Sequence, residues 1–330
     1  MSRADNIAAA TLALRRVSRV KPAEIAFWLV AAASFVFLPE QYLLLNEVAI
    51  TGLFALSLDL VLGYGGIVSL GHAAFFGVGC YAAGLLTKYG VPDPLLGLVI
   101  VAAITGALGF ATSFLVLRGS DLTRIMVTLS VGVLLGELAN RLSWLTGGAD
   151  GLQGVAPGLL LGRLEFDIFG KVAYGYSLVV IFVLFVIARR FVFSPFGWSV
   201  RAVKENPLRT SAIGIPVNRR LVVIYSIAAA YAGIAGALLA QTTQFVSLDV
   251  LAFHRSADLL LILIIGGTGY LYGGLIGALL FKVVQGFIAN LTPEYWEFWI
   301  GLLLVGIVLL GRERITGAPF VIWRRLRGAA

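Results

Sequence analysis

Six ionisable side chains stand inside apolar sequence: Glu47, Asp59, His72, Glu137, Asp258 and Lys282. A charge in hydrocarbon is costly, so such residues face a bundle interior, a water-filled cavity or the interface, and there they serve ion, proton or solute pathways. Glu47 and Asp258 fall near the ends of their apolar runs and read as hydrated, and Lys282 can snorkel. Asp59, His72 and Glu137 remain as the internal polar candidates. Other chemistry is not offered. The two histidines, His72 and His254, belong to no HExxH or Cys/His cluster, so no metal is expected. No GxSxG elbow occurs, and the runs Gly63-Tyr-Gly-Gly66 and Gly266-Gly-Thr-Gly269 are not followed by the Lys-Ser or Lys-Thr of a phosphate loop. We therefore expect no catalytic residues, no cofactor and no ATP binding by this chain itself. The lone Cys80 cannot form an internal disulfide and reads as packing.

The elements that must position these residues are membrane helices. Hydrophobic residues make up 59% of the 330, charged residues 13%, and the period-2 alternation of a membrane barrel is absent. Most apolar runs approach the roughly 20 helical residues that cross about 30 Å of hydrocarbon. Spans are predicted near Glu24–Leu38, Leu43–Leu62, Ser69–Thr87, Leu95–Leu117, Ile125–Leu145, Tyr174–Ala188, Leu221–Ala240 and Trp296–Leu310. The region Ala257–Leu291 contains GGTGYLYGG (Gly266 to Gly274) and reads either as two spans with a turn or as one broken re-entrant element. The fold class is thus all-α, a polytopic bundle of about eight to ten spans. The N-terminal region, basic through Lys21, reads as leading into an uncleaved first span.

The 39 glycines serve close helix packing by default, as in Gly132-xxx-Gly136 and Gly273-xxx-Gly277. They can also break helices so that backbone groups line a pathway. The second reading applies to Asp59–Phe76 and Leu263–Leu279, which share a plan of apolar end, glycine break and small-residue helix. Candidate pathway residues are Asp59, Gly65, Gly66, His72, Glu137, Gly266 and Gly267. Both breaks, Gly65–His72 and Gly266–Gly274, are expected to be non-helical or sharply bent, with Asp59 and His72 facing inward.

Between the spans lies a polar interruption, 189–220. Seven Lys or Arg (Arg189, Arg190, Arg201, Lys204, Arg209, Arg219, Arg220) face a single acid, Glu205. Short cytoplasmic loops retain basic residues, and nineteen of the 25 Lys and Arg fall on one side if both termini are cytoplasmic. The net charge of +8 is thereby a topology signal rather than a sign of nucleic-acid binding. The resulting organisation is a basic cytoplasmic segment 1–23, a transmembrane domain 24–311 with a cytoplasmic loop 189–220 and a periplasmic loop 146–172, and a basic tail 312–330. Within the loop a short helix is expected inside Gly197–Ala212, with Pro207 ending or bending it and starting another.

Four ordered stretches, GYGGIVSLGHAAFFGVGCYAAGLL (Gly63–Leu86), LTGGADGLQGV (Leu145–Val155), FGWSVRAVKENPLRTSAIGI (Phe196–Ile215) and LLLILIIGGTGYLYGGLIGALL (Leu259–Leu280), resemble the branched-chain amino acid ABC importer permeases of the LivM type. The similarity runs from about Tyr42 to Arg312. It implies a multi-pass inner-membrane subunit, in contact with membrane lipid, that pairs with a second related permease, docks on two cytoplasmic ATPase subunits and receives solute from a periplasmic binding protein. ATP hydrolysis would belong to the partners. Similar systems carry leucine, isoleucine and valine, or urea, short amides, other amino acids and aromatic acids, the choice resting largely on the binding protein. By this resemblance Phe196–Ile215 is the ATPase-coupling segment, with Arg201, Lys204, Glu205, Asn206, Pro207, Arg209 and Gly214 as its candidate residues. The wider EAA pattern keeps its glycine at Gly214, while Leu208, Arg209 and Thr210 stand at the E-A-A positions. A self-contained secondary transporter using Asp59 or Glu137 for ion coupling is the alternative.

Overall fold

The structure, a computed structural model, describes residues 22–167, 169–295, 298–302 and 305–306. Among them the chain is helical, with two isolated bridges, Leu152 to Val246 and Leu160 to Leu164. In chain order the helices are α1 (Pro22–Phe37), α2 (Tyr42–Asp59, prolonged by a π-helical turn Leu60–Tyr64), α3 (His72–Tyr89), α4 (Pro94–Val116), α5 (Asp121–Arg141) and α6 (Lys171–Val192). There follow α7 (Pro195–Glu205), α8 (Pro207–Ala212), α9 (Val217–Thr243), α10 (Phe253–Gly266) and α11 (Leu271–Leu291).

Local chemistry sets several starts. Asp93, Ser194 and Asn206 each precede a proline at the first helical position, and each side chain accepts a hydrogen bond from a first-turn amide of α4, α7 or α8 respectively. The proline gives up an amide that would be orphaned anyway, and the cap satisfies another.

Six of these helices, α2 with its flanking turns, α4, α5, α6, α9 and α11, are long and apolar enough to cross a membrane. The glycine-rich stretch after Ala257 forms a turn: α10 ends at Gly266, and α11 begins at Leu271 and packs back on it. With 14 residues, α10 reaches only about 21 Å at 1.5 Å per residue and does not cross alone. The basic clusters of 1–21 and 312–330 lie outside the described residues, as does most of the predicted span Trp296–Leu310.

Helix α9 sits at the centre, packed on α2, α3 and α4. The most apolar windows of α2 and α9 are each 72% buried, against 11% for α5, which lies at the periphery. Lipid gives helices no hydrophobic reason to associate, so contact depends on close approach. Gly79 of α3 lies against the backbone of Gly233 in α9, Gly236 against the Phe76 carbonyl, and Gly109 of α4 against Ala229. A Cβ on any of them would overlap its neighbour. Of the two predicted small-residue pairs, Gly273 and Gly277 pack on the α10 backbone, whereas a Cβ at Gly132 would sit 3.3 Å from Gly71 Cα and one at Gly136 would sit 3.9 Å from Leu251.

Polar cross-links add to this packing. Ser177 donates to Asn46 at 2.6 Å, Tyr176 to Gln241 at 2.9 Å, and Gln241 to the Pro94 carbonyl at 3.0 Å. Lys282, 8% exposed, meets Glu47 at 2.5 Å. Lys282 thus pairs across to α2 instead of snorkelling, while Glu47, its side chain 49% exposed, stays half hydrated near the start of its helix.

The candidate functional site: two glycine breaks and a basic loop

Helix α2 ends in a π-helical turn that widens the backbone just after Asp59, a distortion frequent at functional sites. Gly66, at φ 72°, turns the chain into the left-handed region, and the Ile67 amide then reaches back to the Val61 carbonyl at 3.1 Å. This glycine-based closure satisfies part of the helix end. The Gly63 carbonyl is satisfied differently: Lys204 of α7 donates to it from 2.6 Å. Residues 65–71 are non-helical.

The second break is shorter. Residues 267–270 are non-helical, with Gly267 at φ 105° and Gly269 at φ 77°. The two breaks touch. Asp59, fully buried, accepts a hydrogen bond from the Gly269 amide at 2.7 Å, and a Cβ on Gly63 would overlap both the Asp59 carboxylate and the Gly269 amide. A buried carboxylate needs such partners to remain buried, and here bare glycine backbone on both sides lets them approach.

His72, also fully buried, opens α3 and places Nε2 2.9 Å from Ser57 Oγ. Its ring stacks on Phe54, centroids 6.0 Å apart. The amides around this helix start are held by other elements: Ala73 donates to Ser256 Oγ of α10 at 3.0 Å and Leu70 to Thr128 Oγ1 of α5 at 3.2 Å. Beside them a cavity of about 350 Å³ is lined by Leu70, Gly71, Gly132, Gly136, Glu137 and Ser256, among others. Glu137 lines this cavity from α5 rather than sitting in the buried core: its side chain is 55% exposed and accepts from Arg141 one turn later at 2.9 Å.

The basic loop is a rigid two-helix unit. Thr210 Oγ1 of α8 donates to the Ala202 carbonyl of α7 at 2.9 Å. The Arg201 guanidinium lies 4.9 Å over the Tyr64 ring, 4.5 Å over Trp198 and 5.3 Å over Phe193, a cation–π arrangement that binds α7 to the end of α2. Of the candidate coupling charges, Arg201 packs on the chain's own bundle, and Lys204, although exposed, reaches its ammonium to the Gly63 carbonyl. Arg209 stays exposed, and beside it α8 and its C-cap present Leu208, 82% exposed, and Ile213, 74% exposed. Glu205 is exposed, Asn206 and Pro207 shape the start of α8, and Gly214 at φ 86° ends it. Arg189 and Arg190 belong to the last turn of α6, where Arg189 pairs with Glu24 of α1, and Arg219 shares a cavity with Arg118, so these basic groups gather at one end of the bundle.

Among the residues proposed from sequence, Asp59, Gly65, Gly66, Gly266 and Gly267 fall at or beside the meeting of the two breaks, and His72 lies at the far end of the first. Ser57, Ser256 and Thr128, which hold the first break, are not marked by the sequence. Single hydroxyls in apolar helices carry no spacing signal until their partner is known.

The chain matches the family model described as branched-chain amino acid transport system / permease component over residues 42–308. It is 28% identical over 275 residues to the high-affinity branched-chain amino acid transport system permease protein LivM of Escherichia coli strain K12, and 31% identical over 281 residues to LivM of Salmonella typhimurium strain LT2. Each of these alignments covers 77% of this chain and 64% of the relative, so the chain spans less than two thirds of those proteins' length. With permease protein BraD of Pseudomonas aeruginosa it shares 26% identity over 289 residues, covering 82% of this chain and 92% of the relative. No solved structure matches significantly. A family match over most of the chain, on a bundle of helices long and apolar enough to cross a membrane, places this protein in the branched-chain amino acid transport system permease family.

Proposed function

We propose that the chain is the membrane permease subunit of an ATP-driven importer, moving branched-chain amino acids or related small solutes delivered by a periplasmic binding protein. It works beside a second related permease and above two cytoplasmic ATPase subunits. The observation that carries this reading is the α7–α8 unit: two capped helices at the basic end of the bundle, holding Leu208 and Ile213 out into water. Exposed apolar groups on a rigid, basic element suit burial in a partner's groove. Arg209 and Glu205 flank that surface, while Pro207 and Gly214 fix where α8 begins and ends.

The solute path runs through the breaks, past Gly65, Gly66, Gly266 and Gly267 and the inward-facing Asp59 and His72. Glu137 lines the cavity beside the first break. Asp59 and Glu137 are already engaged, by the Gly269 amide and by Arg141, which favours the ATP-driven reading over ion coupling.

The test replaces Leu208 and Ile213 with glutamate. The variant should insert normally but lose the ATPase subunits on purification and lose ATP-dependent uptake. A cysteine at Arg209 should label only from the cytoplasmic side. Ion-gradient-driven accumulation by the isolated chain in liposomes would overturn the proposal.

A further inference from the structure

The loop that offers Leu208 and Ile213 outward sends one side chain the other way. Lys204, in the last turn of α7, reaches the Gly63 carbonyl at the end of α2. Its stem lies over Gly66: a Cβ there would come within 2.9 Å of Lys204 Cγ. Gly66 thus leaves open the slot that the lysine stem fills. On its other side Gly63 lies against Gly269, whose amide is held by Asp59. Four groups from three parts of the chain, namely Lys204 of the loop, Gly63 and Asp59 of the first break and Gly269 of the second, therefore form one junction.

We propose that Lys204, though exposed, is a positioning residue, a cationic brace that ties the loop to both glycine breaks, and that its role is this bond rather than a contact with the ATPase. This assignment rests on the docking reading of the α7–α8 unit and adds how its displacement reaches the pathway. The last carbonyls of a helix lack intrahelical partners, and a cation is favoured at that end. While α7 is seated, the ammonium supplies the partner for Gly63 and keeps the end of α2 pressed against Gly269. When α7 shifts, the ammonium leaves with it, the Gly63 carbonyl must find water, and the contact between the breaks loosens. The lysine suits this role because its charge is compact and its stem flexible, so the bond can break and re-form. Arg201, stacked on Tyr64, keeps α7 near the bundle throughout.

The experiment uses the complete assembly with its ATPase subunits in everted membrane vesicles. A cysteine replaces Thr268, an exposed residue of the second break, and its labelling by a membrane-impermeant maleimide is timed with and without ATP plus vanadate. With Lys204 intact, trapping nucleotide should change the labelling rate by about five-fold or more, the lower end of ordinary coupling factors. K204M should label at one rate in both conditions while retaining its ATPase subunits. K204R, which restores a cation on the Gly63 carbonyl, should recover part of the response. G66A, which crowds the lysine stem and also strains the left-handed turn of the first break, should lose the response as K204M does.

If K204M keeps the full nucleotide response, the brace does not exist. If K204M loses the ATPase subunits as L208E does, Lys204 is a docking contact and the assignment is wrong. If labelling in the unaltered assembly ignores nucleotide, the docking reading itself fails, a result distinct from either of the others.

Discussion

The two glycine breaks look alike in sequence and are held by different forces. The first, 65–71, is fixed by side chains from four other places: Lys204 on the Gly63 carbonyl, Thr128 on the Leu70 amide, Ser256 on the Ala73 amide and Ser57 on His72. The second, 267–270, takes one side-chain anchor, Asp59, and otherwise rests on backbone against backbone, with Gly266 and Gly277 packed together and Gly273 pressed on the Gly267 carbonyl. A segment held by removable hydrogen bonds can change partners. One held by bare-backbone contact moves only as a block, because a packed interface is bistable rather than continuously deformable. The comparison therefore makes the first break the adjustable member of the pair and α10–α11 the rigid one.

The largest effect is expected where the rigid side is overfilled. Gly273→Leu drives a side chain into the Gly267 carbonyl, and overpacking of this kind costs about 3 kcal/mol or more. We expect loss of folded protein from the membrane fraction, seen as aggregation in detergent chromatography. A monodisperse, transport-competent Gly273→Leu protein would show that the α10–α11 turn has slack and would erase the distinction.

Next comes the shared anchor. Asp59→Leu removes the carboxylate acceptor of the Gly269 amide, a part-buried bond, at a cost of about 1.5–3 kcal/mol, the range for a hydrogen bond to a charged group, while Asp59→Asn keeps an oxygen for it. Thermal unfolding in detergent should rank wild type above Asp59→Asn and Asp59→Asn above Asp59→Leu. Equal melting of the two variants would mean that the carboxylate matters for its charge and that the Gly269 hydrogen bond contributes little.

Much of this was legible in the residues, and the reasons are specific. Apolar run length revealed the bundle, and the Ser-Pro and Asn-Pro steps at Ser194 and Asn206 marked the starts of α7 and α8, because capping is a local matter that a few neighbouring residues decide. Glycine breaks announced themselves for the same reason. Pairings across the bundle were hidden: Lys282 with Glu47 joins residues 235 apart in the chain, and Asp59 with Gly269 joins residues 210 apart. The direction of a long side chain was hidden too. Arg201 read as outward charge because a basic loop usually is, and only the meeting of α7 with the end of α2 shows it stacked on Tyr64, with the ammonium of the exposed Lys204 bonded to Gly63 beside it. Glu137 read as internal because α5 is apolar, and only the packing of the first break and the 248–251 turn around it shows a half-exposed acid lining a cavity.

The smallest predicted effect probes the adjustable side directly. Thr128→Val is isosteric and removes the acceptor for the Leu70 amide, a 3.2 Å bond at a part-buried site, together with the hydroxyl's local bond to the Ile125 carbonyl; Ser256→Ala removes the 3.0 Å acceptor for the Ala73 amide. Each should lower stability by about 0.5–1.5 kcal/mol, the net worth of an ordinary hydrogen bond, with Thr128→Val at the lower end because water can reach its amide. Residues that hold one short segment are coupled, so the double variant should depart from the sum of the singles. Strict additivity with both singles near zero would mean that the first break is held by glycine packing, like the second, since Gly71 lies against the Thr128 carbonyl whatever side chain residue 128 carries. A measurable, non-additive loss would instead establish a hydroxyl-anchored hinge beside a sterically locked one.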